Sequence, residues 1–118
     1  MYRAPRGTAD VLPEEHRYWH YVEAKARALG HRYGYGQLAT PVFENTSLFV
    51  RSVGQGTDIV EKEMYSFQDR GGESITLRPE GTAPVCRAYL EHGMRNLPQP
   101  VRLYYFCPAF RYERPQAG

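Results

Sequence analysis

Apolar residues at Trp19, Val22, Ala26, Leu29 and Tyr33 step by three or four along the chain. That spacing puts them in one stripe on a helix, as a core or subunit contact requires. Pro13-Glu14-Glu15 opens the helix, since proline fits a first turn and acids suit the positive end of the dipole. Gly30, Gly34 and Gly36 break the pattern. Gln37 to Val42 predicts a short strand, placed at an edge or ending there because Pro41 has no N–H to donate. Asn45 or Thr46 can then cap a short helix through Ser47, Leu48, Phe49 and Val50. Met64-Tyr65-Ser66-Phe67 and Ser74-Ile75-Thr76-Leu77 flank a turn containing Gly71-Gly72, a hairpin pattern.

The second arm of that hairpin runs into Thr76–His92, TLRPEGTAPVCRAYLEH, which predicts a strand end, a tight turn and a helix. Gly81 lets the backbone bend, Thr82 is placed as an N-cap, and Pro84 fits the first turn. Val85, Ala88 and Tyr89 continue at helical spacing until Gly93 stops the helix. After a loop over Asn96–Pro100, Val101–Cys107 is the strongest strand in the sequence. It leads into Phe110-Arg111-Tyr112-Glu113. Helix, strand, hairpin, helix, strand is not the alternation of a parallel doubly wound sheet. The fold class expected is α+β with a mainly antiparallel sheet flanked by helices.

The 118 residues suit one domain or part of one. Lys and Arg number 15 against 13 Asp and Glu, a balance that permits an anionic partner without demanding one. No basic run resembles a nucleic-acid tail, the first ten residues lack a secretory apolar core, and no segment approaches membrane-spanning length. Cys86 and Cys107 lack metal-ligand spacing and read as buried free thiols, which fits a cytoplasmic location. Gly54 to Asp58 carries two glycines but not the ending of a phosphate-binding P-loop.

Two groups of residues carry candidate chemistry. Glu80 and Thr82 put a carboxylate and a hydroxyl on a tight turn, which suits either a ligand contact or an ordinary capped surface turn. Arg111 and Glu113 are two apart and share a face if extended. Guanidinium matches phosphate geometry, and a carboxylate beside it can accept from an amine. The alternative is an exposed ion pair contributing about 0–1 kcal/mol. Arg6, in Arg6-Gly7-Thr8, is a ligand contact or a surface residue.

LRPEGT at Leu77–Thr82 and FRYERPQ at Phe110–Gln116 together resemble histidyl-tRNA synthetases, a family of class II aminoacyl-tRNA synthetases. Arg6-Gly7, Thr57–Tyr65 (TDIVEKEMY) and Glu91-His92-Gly93 add to the likeness, which runs almost end to end. The resemblance implies a class II catalytic fold used as a homodimer. Pro13–Tyr33 and the following strand are similar to motif 1, the dimer element, and Val101–Glu113 to the first half of motif 2. By that likeness Arg111 is catalytic and binds the α-phosphate of ATP and the reacting carboxylate of histidine. Glu113 lies by the adenine amine, Glu80 and Thr82 hold the α-ammonium of histidine, and Arg114 and Gln116 approach tRNA(His). ATP is a substrate, used with Mg2+ whose ligands are expected outside these residues. The rest of motif 2, the residues reading the imidazole, motif 3 and the anticodon-binding domain are expected beyond Gly118. These 118 residues alone are then inactive in aminoacylation. Cys107 stands where many relatives have Gly. A regulatory subunit of the ATP phosphoribosyltransferase of histidine biosynthesis has the same likeness, and a bare folding or dimerisation module is a third reading.

Overall fold

A computed structural model describes residues 1–53 and 63–112. The first helix, α1 (Pro13–Arg32), starts at the expected proline, with Glu14 and Glu15 in its first turn and His31 and Arg32 in its last. It passes through Gly30 and ends before Gly34, whose φ of 76° needs a glycine. Gly30 is therefore not a breaker. A Cβ there would lie 3.0 Å from Cδ1 and Cε1 of Tyr104, so the missing side chain admits an aromatic ring. Contacts gather at this end of α1: the Arg27 guanidinium lies 5.1 Å from the centre of the Phe106 ring, and the Tyr35 N–H donates to Gly30 O at 2.8 Å. The rest of the helix stands clear. Trp19 is 53% exposed and Val22 60%, so the stripe is not a core within this chain.

Gln37–Val42 does not form one strand. A two-residue strand, β1 (Gly36–Gln37), pairs in parallel with a later one, β5 (Leu103–Tyr104). The chain leaves that ladder before Pro41 and re-enters sheet structure at β2 (Phe43–Asn45). The expected strand Val101–Cys107 is confined to β5 because its partner is two residues long and Pro100 and Pro108 flank the run. The parallel pair is an addition to the antiparallel expectation.

The main sheet is antiparallel, in the order β2-β4-β3, with β3 at Ser66–Gln68 and β4 at Ser74–Leu77. Its hairpin is the predicted one, entered at Ser66 rather than Met64. Gly72 takes φ 85°, and the Asp69 carboxylate accepts the Glu73 N–H at 2.9 Å. Glu44, Thr76 and Ser66 form one cross-strand row, and Asn45, Ile75 and Phe67 the next. Side chains alternate, so these rows face opposite ways. The Thr76 hydroxyl is fully buried and shares hydrogen bonds with Thr46 (2.8 Å) and Ser66 (2.7 Å).

Two helices contribute to the core: α2 (Thr46–Val53) and α3 (Thr82–Glu91). Asn45, not Thr46, caps α2, its Oδ1 accepting the Ser47 N–H at 3.0 Å. Among the described residues Phe49, Ala83 and Ala88 are buried, and Pro79 and Pro84 are fully enclosed. Arg87 fastens α3 to β2 through a two-pronged bond to Glu44, Nε to Oε1 at 2.9 Å and Nη2 to Oε2 at 2.8 Å. Cys86 faces out from α3 and Cys107 is half-buried; both are free thiols, so burial fails for Cys86. The helix turns Ala83, Pro84 and Ala88 inward and leaves position 86 outside. A compact monomer of this mass exposes about 6,600 Å²; this chain exposes 9833 Å². Part of that exposure lies on α1, where Trp19 is 53% exposed, and on the outer sheet face, where Phe43 and Phe67 are each 49% exposed. The mixed helix-and-sheet class with an antiparallel sheet is as expected from sequence.

Candidate functional site

The turn Pro79–Thr82 joins β4 to α3. Thr82 is the first helical residue, and its N–H donates to Glu80 Oε2 at 2.5 Å. The Ala83 N–H donates to both Glu80 oxygens, at 3.1 and 3.3 Å. The cap is therefore the Glu80 carboxylate and not the Thr82 hydroxyl. The reason is reach: the glutamate folds forward over the helix start, whose first N–H groups have no partner within the helix. This fixes the carboxylate at a defined point. A carboxylate has about four acceptor positions, so a cation can still approach it. Thr82 itself is exposed beside it.

Gly81 is needed for room and not for bending. Its φ of −102° and ψ of −16° are open to any residue. A Cβ there would come within 2.7 Å of Tyr105 Cε2 and 3.0 Å of Cys107 Sγ. The turn thus lies directly on the segment that precedes Arg111.

Arg78 ties the same two pieces together, and sequence reasoning gave it no role. It is 6% exposed. Its Nε donates to Pro108 O at 2.8 Å, and its Nη1 to Thr40 O at 3.1 Å and Pro41 O at 3.3 Å. Its main chain donates to Val42 O and accepts from the Phe110 N–H, each at 2.9 Å. Tyr112 N–H donates to Glu63 O at 2.7 Å, and the Tyr65 and Tyr112 rings meet edge-on at 6.0 Å. Phe110–Tyr112 is therefore held at alternate residues although it belongs to no regular strand. Arg111 sits between those two anchors, with an exposed side chain. The one signal for Arg78 in sequence was its place between a strand and a turn of Pro and Gly; nothing announced its burial.

Glu113, Arg114 and Gln116 lie outside the described residues, as does the Thr57–Lys62 part of the family likeness. Arg6 is exposed, beside a turn in which Thr8 N–H donates to Pro5 O at 3.0 Å. Among the described residues no group of three or more His, Cys, Asp or Glu side chains could hold a metal ion. Among the described residues, no helix is long and apolar enough to cross a membrane.

A sequence profile described as Histidyl-tRNA synthetase matches residues 7–118. The chain belongs to that family. The histidine–tRNA ligase of Dehalococcoides mccartyi is 64% identical over the whole chain, which spans 28% of that relative. The one from Geobacillus thermodenitrificans is 60% identical, over 99% of this chain and 28% of its own length. Among solved structures, apo histidyl-tRNA synthetase of S. aureus superposes with a TM-score of 0.82 at 48% identity, covering 95% of this chain and 30% of that one. A Bacillus halodurans protein described as an ATP phosphoribosyltransferase regulatory subunit/histidyl-tRNA synthetase reaches 0.76 at 25% identity, covering 97% and 29%. The chain thus spans less than a third of the length of these relatives. Its helices and antiparallel sheet are those of the corresponding part of the synthetase catalytic domain.

Proposed function

We propose that this chain is the N-terminal portion of a class II catalytic domain, motif 1 and the first half of motif 2, in a histidine–tRNA ligase. The whole reaction activates histidine with ATP and passes the aminoacyl group to tRNA(His). In the first step a carboxylate oxygen of histidine bonds to the α-phosphorus of ATP, the bond to the bridging oxygen breaks, and pyrophosphate leaves with that electron pair. No base is required, because the carboxylate is already ionised at neutral pH. Catalysis is then positioning and charge stabilisation. Glu80, fixed by the start of α3, receives the ammonium, with Thr82 beside it. Arg111 faces the α-phosphate and the reacting carboxylate. Glu113 takes the adenine amine, and Arg114 and Gln116 lead toward the tRNA acceptor end. Mg2+ would offset phosphate charge from ligands outside these residues.

The observation that carries this reading is the helix-anchored Glu80 turn packed on the segment bearing Arg111, in a chain of this family. The regulatory-subunit reading is weaker: the neighbour with that description is 25% identical, against 64% for the D. mccartyi ligase. The exposed α1 stripe supports a homodimer through the motif 1 region, and the composition suits the cytoplasm. Calorimetric titration of the chain with histidine and with ATP tests the site. Heat or a melting shift with either ligand is expected; silence with both would remove the site from this chain and leave the family untouched.

A further inference from the structure

We infer, on the ligase reading above, that Arg78 is a positioning residue whose guanidinium sets the register between the Glu80 turn and the chain that carries Arg111. Glu80 lies two residues beyond Arg78. Arg111 lies one residue beyond Phe110, whose N–H bonds to the Arg78 carbonyl at 2.9 Å. One residue therefore joins the two walls by its main chain, and its side chain adds a third segment, Thr40–Pro41.

The chemistry of those segments explains why the joint is an arginine. Pro41 and Pro108 have no N–H, so neither segment can offer a main-chain donor at that point. Their carbonyls are instead gathered by a planar fork whose Nε and Nη1 point in different directions. A lysine offers donors from one atom and cannot span both. Among the described residues no carboxylate pairs with Arg78, although it is 6% exposed. A buried cation among neutral carbonyls is costly to desolvate, and an apolar side chain would fill the space without that cost. What the guanidinium adds is geometry. On the ligase reading Glu80 meets the ammonium of histidine and Arg111 the α-phosphate and the reacting carboxylate, so the reaction needs the two walls in register. A misplacement of about 1 Å between reacting groups costs on the order of a hundredfold in rate.

The test uses a full-length ligase carrying these 118 residues, with Arg78→Lys and Arg78→Gln. ATP–pyrophosphate exchange is measured well below the melting temperature of each variant, with KM for histidine and for ATP. The expected result is a fall in kcat of about thirtyfold or more in both, with each KM within about threefold of the unmutated value. Arg78→Lys at nearly full kcat would overturn the inference. So would losses confined to KM, losses that vanish on cooling, or variants that fold at no temperature, since each of those makes Arg78 a purely structural residue. An inactive unmutated ligase would instead sink the ligase reading itself.

Discussion

Glu80 and Gly81 hold the turn in different ways, one as a cap on α3 and the other by leaving room for Tyr105 and Cys107. Gly81→Ala brings a methyl against Tyr105 and Cys107 at 2.7 and 3.0 Å. The expected loss is about 1–3 kcal/mol, read as a lower denaturation midpoint at unchanged slope. Glu80→Ala takes away a cap and, on the ligase reading, the ammonium contact. In a full-length ligase carrying this chain it should raise the KM for histidine by about tenfold or more while the KM for ATP stays put; an unchanged histidine KM would remove Glu80 from the amino-acid site. LRPEGT singles out Glu80 as a candidate ligand contact, and its role as cap was not legible. A glutamate two residues before a helix start can reach over it or point away, and only the fold decides. Gly81 was singled out for the wrong reason, because close approach by Tyr105 is a tertiary fact that no local pattern carries.

At the scale of elements, the pair Arg87–Glu44 is the joint between α3 and β2. Glu44, hydrogen-bonded to it, holds the Arg87 guanidinium above its ordinary pKa; partial burial opposes this and Glu91 adds to it. A raised cation contributes stability that is present below its unfolded pKa and lost only as pH rises through the folded one. That window is strongly alkaline, so the pair should lend stability that is flat through the neutral range. Glu44→Gln is expected to cost about 1–3 kcal/mol without altering the neutral pH profile of melting. The hairpin Ser66–Gln68 with Ser74–Leu77 and the helices α1 and α3 were legible because alternation, Gly-Gly and proline starts are local signals. The short β1 and β5 were not: a parallel pair between Gly36 and Leu103 is a long-range choice, and β-rich composition in Val101–Cys107 overstated its length.

The whole molecule exposes more than its own core can account for. The α1 stripe and the outer sheet face leave Trp19, Val22, Phe43 and Phe67 about half exposed or more. If α1 is the dimer element, Trp19→Asp should shift a full-length ligase carrying this chain from dimer to monomer in sedimentation at micromolar concentration, with its helix content retained. A dimer of undiminished stability would place the contact elsewhere. The sequence stripe announced an apolar face, but periodicity cannot say whether such a face meets its own chain or another. The family was legible from two short motifs. The juxtaposition of those motifs, through Arg78 and Gly81, required the fold.

On the ligase reading, Arg111 is the phosphate-facing arginine of a histidine-activating site. That role is tested most directly by histidine-dependent ATP–pyrophosphate exchange in a full-length ligase carrying these residues, with and without Arg111→Ala. Robust exchange with histidine is expected, with a fall of about a hundredfold or more in the variant at intact folding. Exchange by the variant at close to the unmutated rate would contradict that role.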